Sequence, residues 1–225
     1  MNGPYAVMWS GGKDCALALD RARQAGLDIQ RLVNFHDPTT GRVRFHGTRL
    51  AMLEAQASAA GLDLLKVPTT WAEMDQRLRE VLKRIRAEGF AGIILGNIHL
   101  ADVRAWYEER VRAAGLKHVE PIWGEAPNAL LEEFVSRGGR AVVTCVDRTR
   151  LAPSWLGRII DEEFRADIGA TACDPCGENG EYHSFVFAGP LFTAPVSWIP
   201  GVRFGEGSFL QLDIRSPAES SAPVL

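Results

Sequence analysis

The chain has 225 residues, a formal net charge of −3, 46% hydrophobic residues and 24% charged residues. These values are typical of a soluble globular protein with one large domain, or with one domain and a smaller appendage. The slightly acidic balance does not indicate a general nucleic-acid-binding protein, and no apolar run is long enough to span a membrane. Four cysteines are too few for a disulfide framework, so we expect a reducing, cytoplasmic location.

Short apolar segments alternate with amphipathic helical patterns over the first two thirds of the chain. The predicted strands are 6–9, 30–34, 64–67, 92–95 and 141–145, and the predicted helices are 14–25, 48–60, 71–88, 102–114 and 128–137. Gly26, Gly61, Gly89 and Gly115 follow four of these helices, where glycine is typical of a C-terminal cap. The alternation predicts an α/β fold of the Rossmann-like type, with a five-stranded parallel sheet and helices on both faces.

The pattern changes after about residue 150. A predicted helix over 155–165 precedes a segment rich in proline and glycine, which runs to residue 215 and contains predicted strands at 182–187 and 208–214. We therefore predict a larger α/β domain over 1–150 and a smaller α+β region over 151–215. The last segment, 216–225, is predicted to be a frayed tail.

Two adjacent glycines, Gly11 and Gly12, separate the first strand from the first helix. In such a turn, backbone N–H groups and the positive end of the helix dipole favour an anion, usually a phosphate. Lys13 adds a positive charge. Neither the Walker A pattern nor G-x-G-x-x-G is present, so the turn predicts a nucleotide enzyme of another class. The alternative is an ordinary turn in which Lys13 and Asp14 are merely solvated.

Polar residues and a glycine follow two further predicted strands. Asn34 and His36 lie at the end of the second strand, and Gly96 and Asn97 lie at the end of the fourth. In open α/β sheets, ligands bind beyond the carboxyl ends of the strands. The three strand ends therefore predict one shared cleft.

A second unusual stretch, Gly177-Glu178-Asn179-Gly180-Glu181, precedes the strand that carries His183. Asn179-Gly180 suits a tight turn with positive φ, but a turn does not require Glu178, Glu181 and His183 together. On an extended strand Glu181 and His183 share a face, and a carboxylate beside an imidazole suits proton transfer or amine binding. A polar hairpin tip is the alternative interpretation.

The segment Ser10-Gly11-Gly12-Lys13-Asp14-Cys15 resembles the SGGxDS pyrophosphate loop of the N-type ATP pyrophosphatases, which belong to the HUP group of adenine-nucleotide folds. Over residues 5–192 the chain resembles the diphthine–ammonia ligase family of these enzymes. The other matching segments occur in family order: Phe45-His46-Gly47, Gly96-Asn97-Ile98, Pro121-Ile122-Trp123-Gly124, Ser154-Trp155-Leu156-Gly157-Arg158, Gly177-Glu178-Asn179-Gly180-Glu181 and Pro190-Leu191-Phe192. The chain departs from the family at Cys15, which replaces serine, and at Asn97, where many relatives carry aspartate.

The resemblance implies ATP-dependent amidation, with a HUP-type ATP-binding domain over 1–150 and a smaller substrate-side region over 151–215. A carboxylate is adenylated, pyrophosphate is released, and ammonia displaces AMP to give an amide. In archaea and eukaryotes the carboxylate belongs to diphthine, a modified histidine of a translation elongation factor, whereas bacterial relatives would act on another acceptor. The implied cofactors are ATP and Mg²⁺, and Asp14 is the candidate Mg²⁺ ligand or a helix cap.

The resemblance also implies candidate site residues. The ATP-binding candidates are Ser10, Gly11, Gly12, Lys13, Asp14, Cys15, Asn34, His36, His46, Gly47, Gly96 and Asn97. The acceptor-binding candidates are Trp155, Arg158, Gly177, Glu178, Asn179, Gly180 and Glu181. The catalytic candidates are Lys13 for charge on the departing pyrophosphate, Glu181 for the proton of the attacking amine, and His183.

Two other functions stay open at this point. Related enzymes with this loop thiolate tRNA, but they often carry an RNA-binding appendage, and no basic, aromatic-rich segment of that kind is present here. A regulatory protein that senses ATP or AMP is the alternative from another class, and it would not need the acidic residues near position 180. A homo-oligomer is compatible with the sequence, which leaves open the acceptor, the ammonia source and the role of Cys173 and Cys176.

Overall fold

The computed structural model describes residues 3–218. Five parallel strands form the first sheet, in the order β3-β2-β1-β4-β5. They are β1 (Tyr5–Met8), β2 (Ile29–His36), β3 (Asp63–Pro68), β4 (Gly92–Ile94) and β5 (Lys117–Val119). The central strands β1 and β4 are buried along almost their whole length, as expected of a parallel sheet that is covered on both faces.

Helices cover both faces of this sheet. They are α1 (Lys13–Gln24), α2 (Leu50–Ala60), α3 (Met74–Ala87), α4 (Ala101–Ala113) and α5 (Pro127–Ser136). Leu17 of α1 and Leu53 of α2 belong to one apolar core, whereas Leu82 of α3 and Val111 of α4 belong to a second core. The predicted α/β architecture, with a five-stranded parallel sheet, is confirmed.

The fifth parallel strand is not the one that the sequence predicted. It is β5, which has only three residues and follows Gly115 directly after α4. The segment 141–145 lies instead within β6 (Arg140–Asp147), which pairs antiparallel in a second sheet. An apolar run fits a buried strand of either sheet, so its periodicity could not assign the partner.

The second sheet is antiparallel and also has five strands. It contains β6, β7 (Ile159–Ile160), β8 (Tyr182–Ala188), β9 (Ile199–Glu206) and β10 (Phe209–Arg215), with β6 bonded to β7, β8 and β10. The predicted strands 182–187 and 208–214 are confirmed as β8 and β10. The sequence missed β9, which contains Pro200 and Gly201, residues that interrupt a strand pattern.

The helix predicted over 155–165 has the wrong bounds, since only residues 162–165 of it lie in an α-helix. A single 3₁₀ turn at Pro153–Trp155 is followed by Gly157, whose φ of +86° leaves the right-handed helical region. The next helix, α6 (Glu162–Gly169), begins after Asp161, whose side chain accepts a hydrogen bond from the Phe164 N–H at 3.0 Å. Two residues in the sequence indicate this later start: Gly157, which favours a break, and Asp161, a favourable N-cap residue.

The second sheet contacts the first at the turn between β1 and α1. The Val186 N–H of β8 donates to the Gly11 carbonyl at 2.9 Å, and side chains of α1, β6 and β8 share one apolar core. Because β6 precedes residue 150, the second sheet draws on both predicted regions, and the division at residue 150 stays a prediction. Most of the predicted tail, 219–225, lies outside the described residues. Within residues 3–218, no helix combines the length and apolar character that a membrane crossing requires.

Candidate functional site

Glycines allow the end of β4 and the segment around His46 to approach the turn between β1 and α1 closely. Gly11 has a φ of +84°, a conformation that other residues rarely adopt. A Cβ on Gly12 would lie 2.9 Å from Cε1 of His46, and a Cβ on Gly96, after β4, would lie 2.7 Å from the Cys15 nitrogen. The turn therefore has no room for side chains at these positions, and the end of β4 contacts the start of α1.

Gln56, on the buried face of α2, holds the turn in place. Its Nε2 donates to the Gly11 carbonyl at 3.0 Å and to the Val186 carbonyl at 2.7 Å, and its Oε1 accepts from the Trp9 indole N–H at 2.9 Å. Gln56 is not among the site residues predicted from the sequence. The available signal was a glutamine on the otherwise apolar face of a helix, because a buried amide needs partners for all of its polar atoms.

The Lys13 side chain is buried between two loops, and only 4% of it is exposed. Its ammonium donates to Asp14 Oδ2 at 3.0 Å and to the Cys176 carbonyl, and it lies 4.8 Å from the centre of the Tyr182 ring. Burial lowers the pKa of Lys13, but the negative charge of Asp14 and the other neighbouring groups outweigh it, so the pKa lies well above its ordinary value. Lys13 therefore stays charged and joins the glycine turn to the segment around Cys176.

The Cys15 thiol bonds within the turn. Its Sγ donates to the Gly12 carbonyl at 3.1 Å and lies 3.6 Å from Ser10 Oγ. Burial raises the pKa of Cys15, so the thiol stays protonated near neutral pH. Cys15 thus supports the shape of the turn and has no thiolate with which to act as a nucleophile.

Asn34 and His36, at the end of β2, have buried polar atoms without protein partners. Asn34 is 2% exposed and donates from Nδ2 to the Trp9 carbonyl at 2.7 Å. Within the described part of the chain, Asn34 Oδ1 and His36 Nδ1 have no hydrogen-bond partner. Burial lowers the pKa of His36 and favours its neutral form. Buried polar atoms are almost always hydrogen-bonded, so these two are candidates for contact with a polar ligand.

Gly177 and Gly180 shape the loop over residues 174–181, which we call the acidic loop. They have φ values of +69° and +85°, and the Gly180 N–H donates to the Gly177 carbonyl at 3.0 Å. The Glu181 carboxylate is 1% exposed and accepts from the Asp174 and Asn179 N–H groups, both at 3.1 Å. Glu181 also lies 3.5 Å from Arg150 Nη1. It therefore organises the acidic loop from within.

His183 packs against the rings of His46 and Phe45. Its ring centre lies 4.6 Å from that of His46 and 6.0 Å from that of Phe45. Burial lowers the pKa of His46 to about 4 and holds the pKa of His183 well below its ordinary value. Both imidazoles are therefore neutral at pH 7. Among the described residues, no contact joins the Glu181 side chain to that of His183, although the sequence placed them on one face.

Glu178 connects the acidic loop to the first sheet. Its Oε1 accepts from the Ile98 N–H, just after β4, at 2.9 Å. Burial and then the charge of Asp14 raise the pKa of Glu178 to about 7. A carboxyl with such a pKa exchanges a proton readily near neutral pH, as a general acid or base must.

Trp155 and Arg158 lie in the second sheet region. The Arg158 guanidinium lies 4.6 Å from the centre of the Trp155 ring and donates to Asp167 Oδ2 at 2.7 Å. The Phe164 ring lies 5.3 Å from both the Trp155 and the Tyr182 rings, which links this cluster indirectly to Lys13. The acceptor-binding role of Trp155 and Arg158 stays a prediction.

Cys173 and Cys176 donate to separate backbone carbonyls. Cys173 Sγ lies 3.7 Å from the Arg150 carbonyl and Cys176 Sγ lies 3.3 Å from the Pro127 carbonyl. Between residues 3 and 218, no cluster of three or more His, Cys, Asp or Glu side chains is placed to hold a metal ion. Asp14 remains the candidate for a single metal contact at the turn.

Comparison with known proteins assigns the chain to a family. The diphthamide synthase N-terminal domain matches residues 3–118, and the diphthamide synthase C-terminal domain matches residues 126–201. The chain belongs to the diphthamide synthase family. Similar proteins are the diphthine–ammonia ligases of Homo sapiens and Bos taurus, each 25% identical over 213 residues, with 83% of this chain and 79% of the relative covered.

In this diphthamide synthase family member, the two matched domains contain the two halves of the candidate site. The N-terminal match includes the glycine turn and the ends of β2 and β4, and the C-terminal match includes the acidic loop and β8. The family predicted from the sequence is therefore confirmed. The parallel sheet with its helices is a HUP-like α/β fold, as predicted.

Proposed function

We propose that the protein is an ATP-dependent ligase that converts a carboxylate into an amide, with ammonia as the nitrogen donor. The reaction runs through an acyl-adenylate, with release of pyrophosphate and then AMP. Membership of the diphthamide synthase family and similarity to diphthine–ammonia ligases support this activity. The observation that carries the proposal is the contact between the glycine turn and the acidic loop, made by the Lys13 ammonium and the Cys176 carbonyl.

The glycine turn suits a nucleoside triphosphate. Gly11 and Gly12 allow the backbone to approach an anion, and Lys13 supplies a fixed positive charge directly beside the turn. A buried charge that is already in position stabilises negative charge developing on pyrophosphate. The unpartnered Asn34 Oδ1 and His36 Nδ1 suit polar groups of the nucleoside.

Asp14 suits a Mg²⁺ ion that arrives with the phosphates. Mg²⁺ in nucleotide enzymes is commonly held by one or two carboxylates together with the substrate phosphates, and it neutralises their charge. The Asp14 side chain is 27% exposed, and its Oδ2 forms an ion pair with Lys13 Nζ at 3.0 Å. A partly exposed carboxylate at the turn suits this role.

On the acceptor side, the geometry favours Glu178 over Glu181 as the proton acceptor. Ammonia is mostly protonated near neutral pH, so the site has to bind ammonium and remove a proton. Glu178 has a pKa of about 7 and lies at the junction of the acidic loop and β4. The Glu181 oxygens already accept from the Asp174 and Asn179 N–H groups, which suits a positioning role. In this proposal the neutral His183 lies beside the acceptor.

The experiment combines the purified protein with ATP, nitrogen-15 ammonium and a panel of carboxylate acceptors. Diphthine-bearing elongation factor is the first acceptor to test, because the similar proteins are named diphthine–ammonia ligases. Mass spectrometry should show nitrogen-15 in an amide of the acceptor. AMP should form in an amount equal to that amide. If ATP binds but no acceptor gains the label, the result contradicts the proposed ligase and favours the alternative of a nucleotide sensor. A cytoplasmic location and a homo-oligomer stay predictions.

A further inference from the structure

Asn97 and Glu120 form a buried pair at the edge of the first sheet. Asn97 follows β4, Glu120 follows β5, and Asn97 Nδ2 donates to Glu120 Oε1 at 2.7 Å. The Glu120 side chain is 2% exposed, with Arg104 Nε at 3.0 Å and His118 Nε2 at 3.4 Å. Glu120 is therefore a buried carboxylate close to three neighbouring side chains, and Asn97 is the one of the three that forms a hydrogen bond with it in the described structure.

This pairing fixes the orientation of the Asn97 amide. Glu120 Oε1 accepts this hydrogen bond, so the NH₂ group of Asn97 faces Glu120 and Oδ1 turns away from it. In the sheet order β1-β4-β5, the strand β5 lies on the far side of β4 from β1. Asn97 Oδ1 therefore turns away from the β5 side, and its neighbour Gly96 lies against the start of α1 at the glycine turn.

An acceptor oxygen at this place selects the kind of group that it can bind. Phosphate oxygens are themselves acceptors at neutral pH, so Asn97 Oδ1 pairs with a hydroxyl group, an amino group or a cation. The crevice between β1 and β4 is the point where the strand order reverses, because β2 lies on the other side of β1. Ligands of open α/β sheets bind in such a crevice.

We propose that Asn97 Oδ1 accepts a hydrogen bond from the nucleoside part of ATP, either from a ribose hydroxyl or from the amino group of the base. Glu120 is the positioning residue that keeps the Asn97 amide in this orientation. The inference rests on the proposed function and deepens it, because it adds a contact at the end of β4 to the nucleoside contacts proposed at the end of β2, and it gives Glu120 a role in nucleotide selection.

The test is calorimetric binding of ATP, 2′-deoxyATP, 3′-deoxyATP and ITP, without acceptor and with EDTA. The wild-type protein should bind one of these analogues about tenfold more weakly than ATP, the loss expected for one hydrogen bond. A deoxy analogue then identifies the hydroxyl, and ITP identifies the amino group. Asn97→Ala should bind ATP about tenfold more weakly and no longer distinguish that analogue from ATP.

Variants of Glu120 test the positioning role. A glutamine can donate as well as accept, so Glu120→Gln should reduce the discrimination between ATP and the analogue. Asn97→Asp brings two carboxylates together and should weaken ATP binding. Adding Glu120→Gln to it restores an amide against a carboxylate, and this double variant should bind ATP more tightly than Asn97→Asp alone. The matched control is Asn128→Ala on the exposed face of α5, which should bind all four nucleotides like the wild type.

The proposal is overturned if the wild type binds all four nucleotides equally, a result that does not depend on the folding of any variant. It also fails if Asn97→Ala keeps the wild-type discrimination, or if an effect of Asn97 appears only when Mg²⁺ replaces EDTA. A wild-type protein that does not bind ATP overturns the proposed function itself, together with this inference.

Discussion

The Lys13 ammonium donates to the backbone carbonyl of Cys176, a residue 163 positions later in the chain. This contact joins the start of α1 to the acidic loop, so the nucleotide side and the acceptor side of the candidate site share a buried cation. The Lys13 N–H group also donates to Ser184 Oγ of β8 at 3.3 Å. Residue 13 therefore connects the two halves of the site through both its backbone and its side chain.

Replacing Lys13 by methionine should destabilise the protein and abolish acceptor-dependent pyrophosphate release. The substitution leaves the Cys176 carbonyl and the Asp14 carboxylate without their donor, so we expect the free energy of unfolding to fall by about 2–3 kcal/mol. Urea unfolding measures the loss. Lys83→Met, on the exposed face of α3, is the control and should stay within about 0.5 kcal/mol of the wild type. Equal midpoints for the two variants would contradict the role of Lys13.

Replacing Gln56 by methionine should loosen the glycine turn. The variant keeps the volume of the side chain but removes two donated hydrogen bonds and the acceptor of the Trp9 indole. We expect a loss of about 2–3 kcal/mol in the free energy of unfolding, together with weaker ATP binding. Gln76→Met on exposed α3 is the matched control. If ATP affinity does not change in a folded Gln56→Met, the shape of the turn does not depend on Gln56.

Replacing Gly12 by alanine should weaken nucleotide binding while the protein stays folded. The backbone of Gly12 is extended, with a φ of −84°, so alanine adds no backbone strain, but its Cβ meets His46 Cε1 at 2.9 Å and the Ser184 carbonyl at 3.3 Å. Displacement of the turn should lower the affinity for ATP by about tenfold or more. Gly169→Ala, where a Cβ meets nothing within 4 Å, should bind ATP normally. Unchanged affinity in Gly12→Ala would place the phosphates elsewhere.

The raised pKa of Glu178 predicts a dependence of stability on pH. Its value of about 7 exceeds the ordinary value of 4.5, so between these limits the folded protein binds more protons than the unfolded chain. The contribution of Glu178 to stability is therefore greatest below pH 4.5 and is lost as the pH rises to about 7. Glu178→Gln removes this slope, so its stability relative to the wild type should rise by about 1–3 kcal/mol between pH 4.5 and 8.

Thermal or urea unfolding across this pH range measures the difference, and Glu163→Gln, an exposed residue of α6, should run parallel to the wild type. Amide formation by the wild type should increase through pH 7 as Glu178 loses its proton. A Glu178→Gln variant whose stability runs parallel to the wild type from pH 4.5 to 8 would show that the carboxyl titrates normally.

Local sequence signals predicted most of the fold. The alternation of apolar strands with helices that end at Gly26, Gly61, Gly89 and Gly115 was enough for the parallel sheet, and all four glycines adopt positive φ. The three-residue strand β5 was too short to leave a periodic signal. The partner of β6 depends on contacts between distant segments, which periodicity along the chain does not contain.

The candidate site was predictable where backbone geometry decides it and less so where burial does. Gly11 and Gly12 indicated the turn from their spacing alone. Nothing in the sequence indicated that the Lys13 ammonium would be buried against the Cys176 carbonyl, because this contact requires the second sheet to cover the turn. For the same reason the alternation rule placed Glu181 with His183, whereas Glu181 turns back to the backbone of its own loop.

Phosphorus-31 NMR of the nucleotide products tests the central claim most directly. The protein is incubated with ATP, ammonium and each carboxylate acceptor, and with each of these omitted in turn. We predict that AMP and pyrophosphate form in equal amounts and only when an acceptor is present. Formation of ADP and phosphate, or intact ATP with every acceptor despite measured binding, would contradict an adenylating ligase.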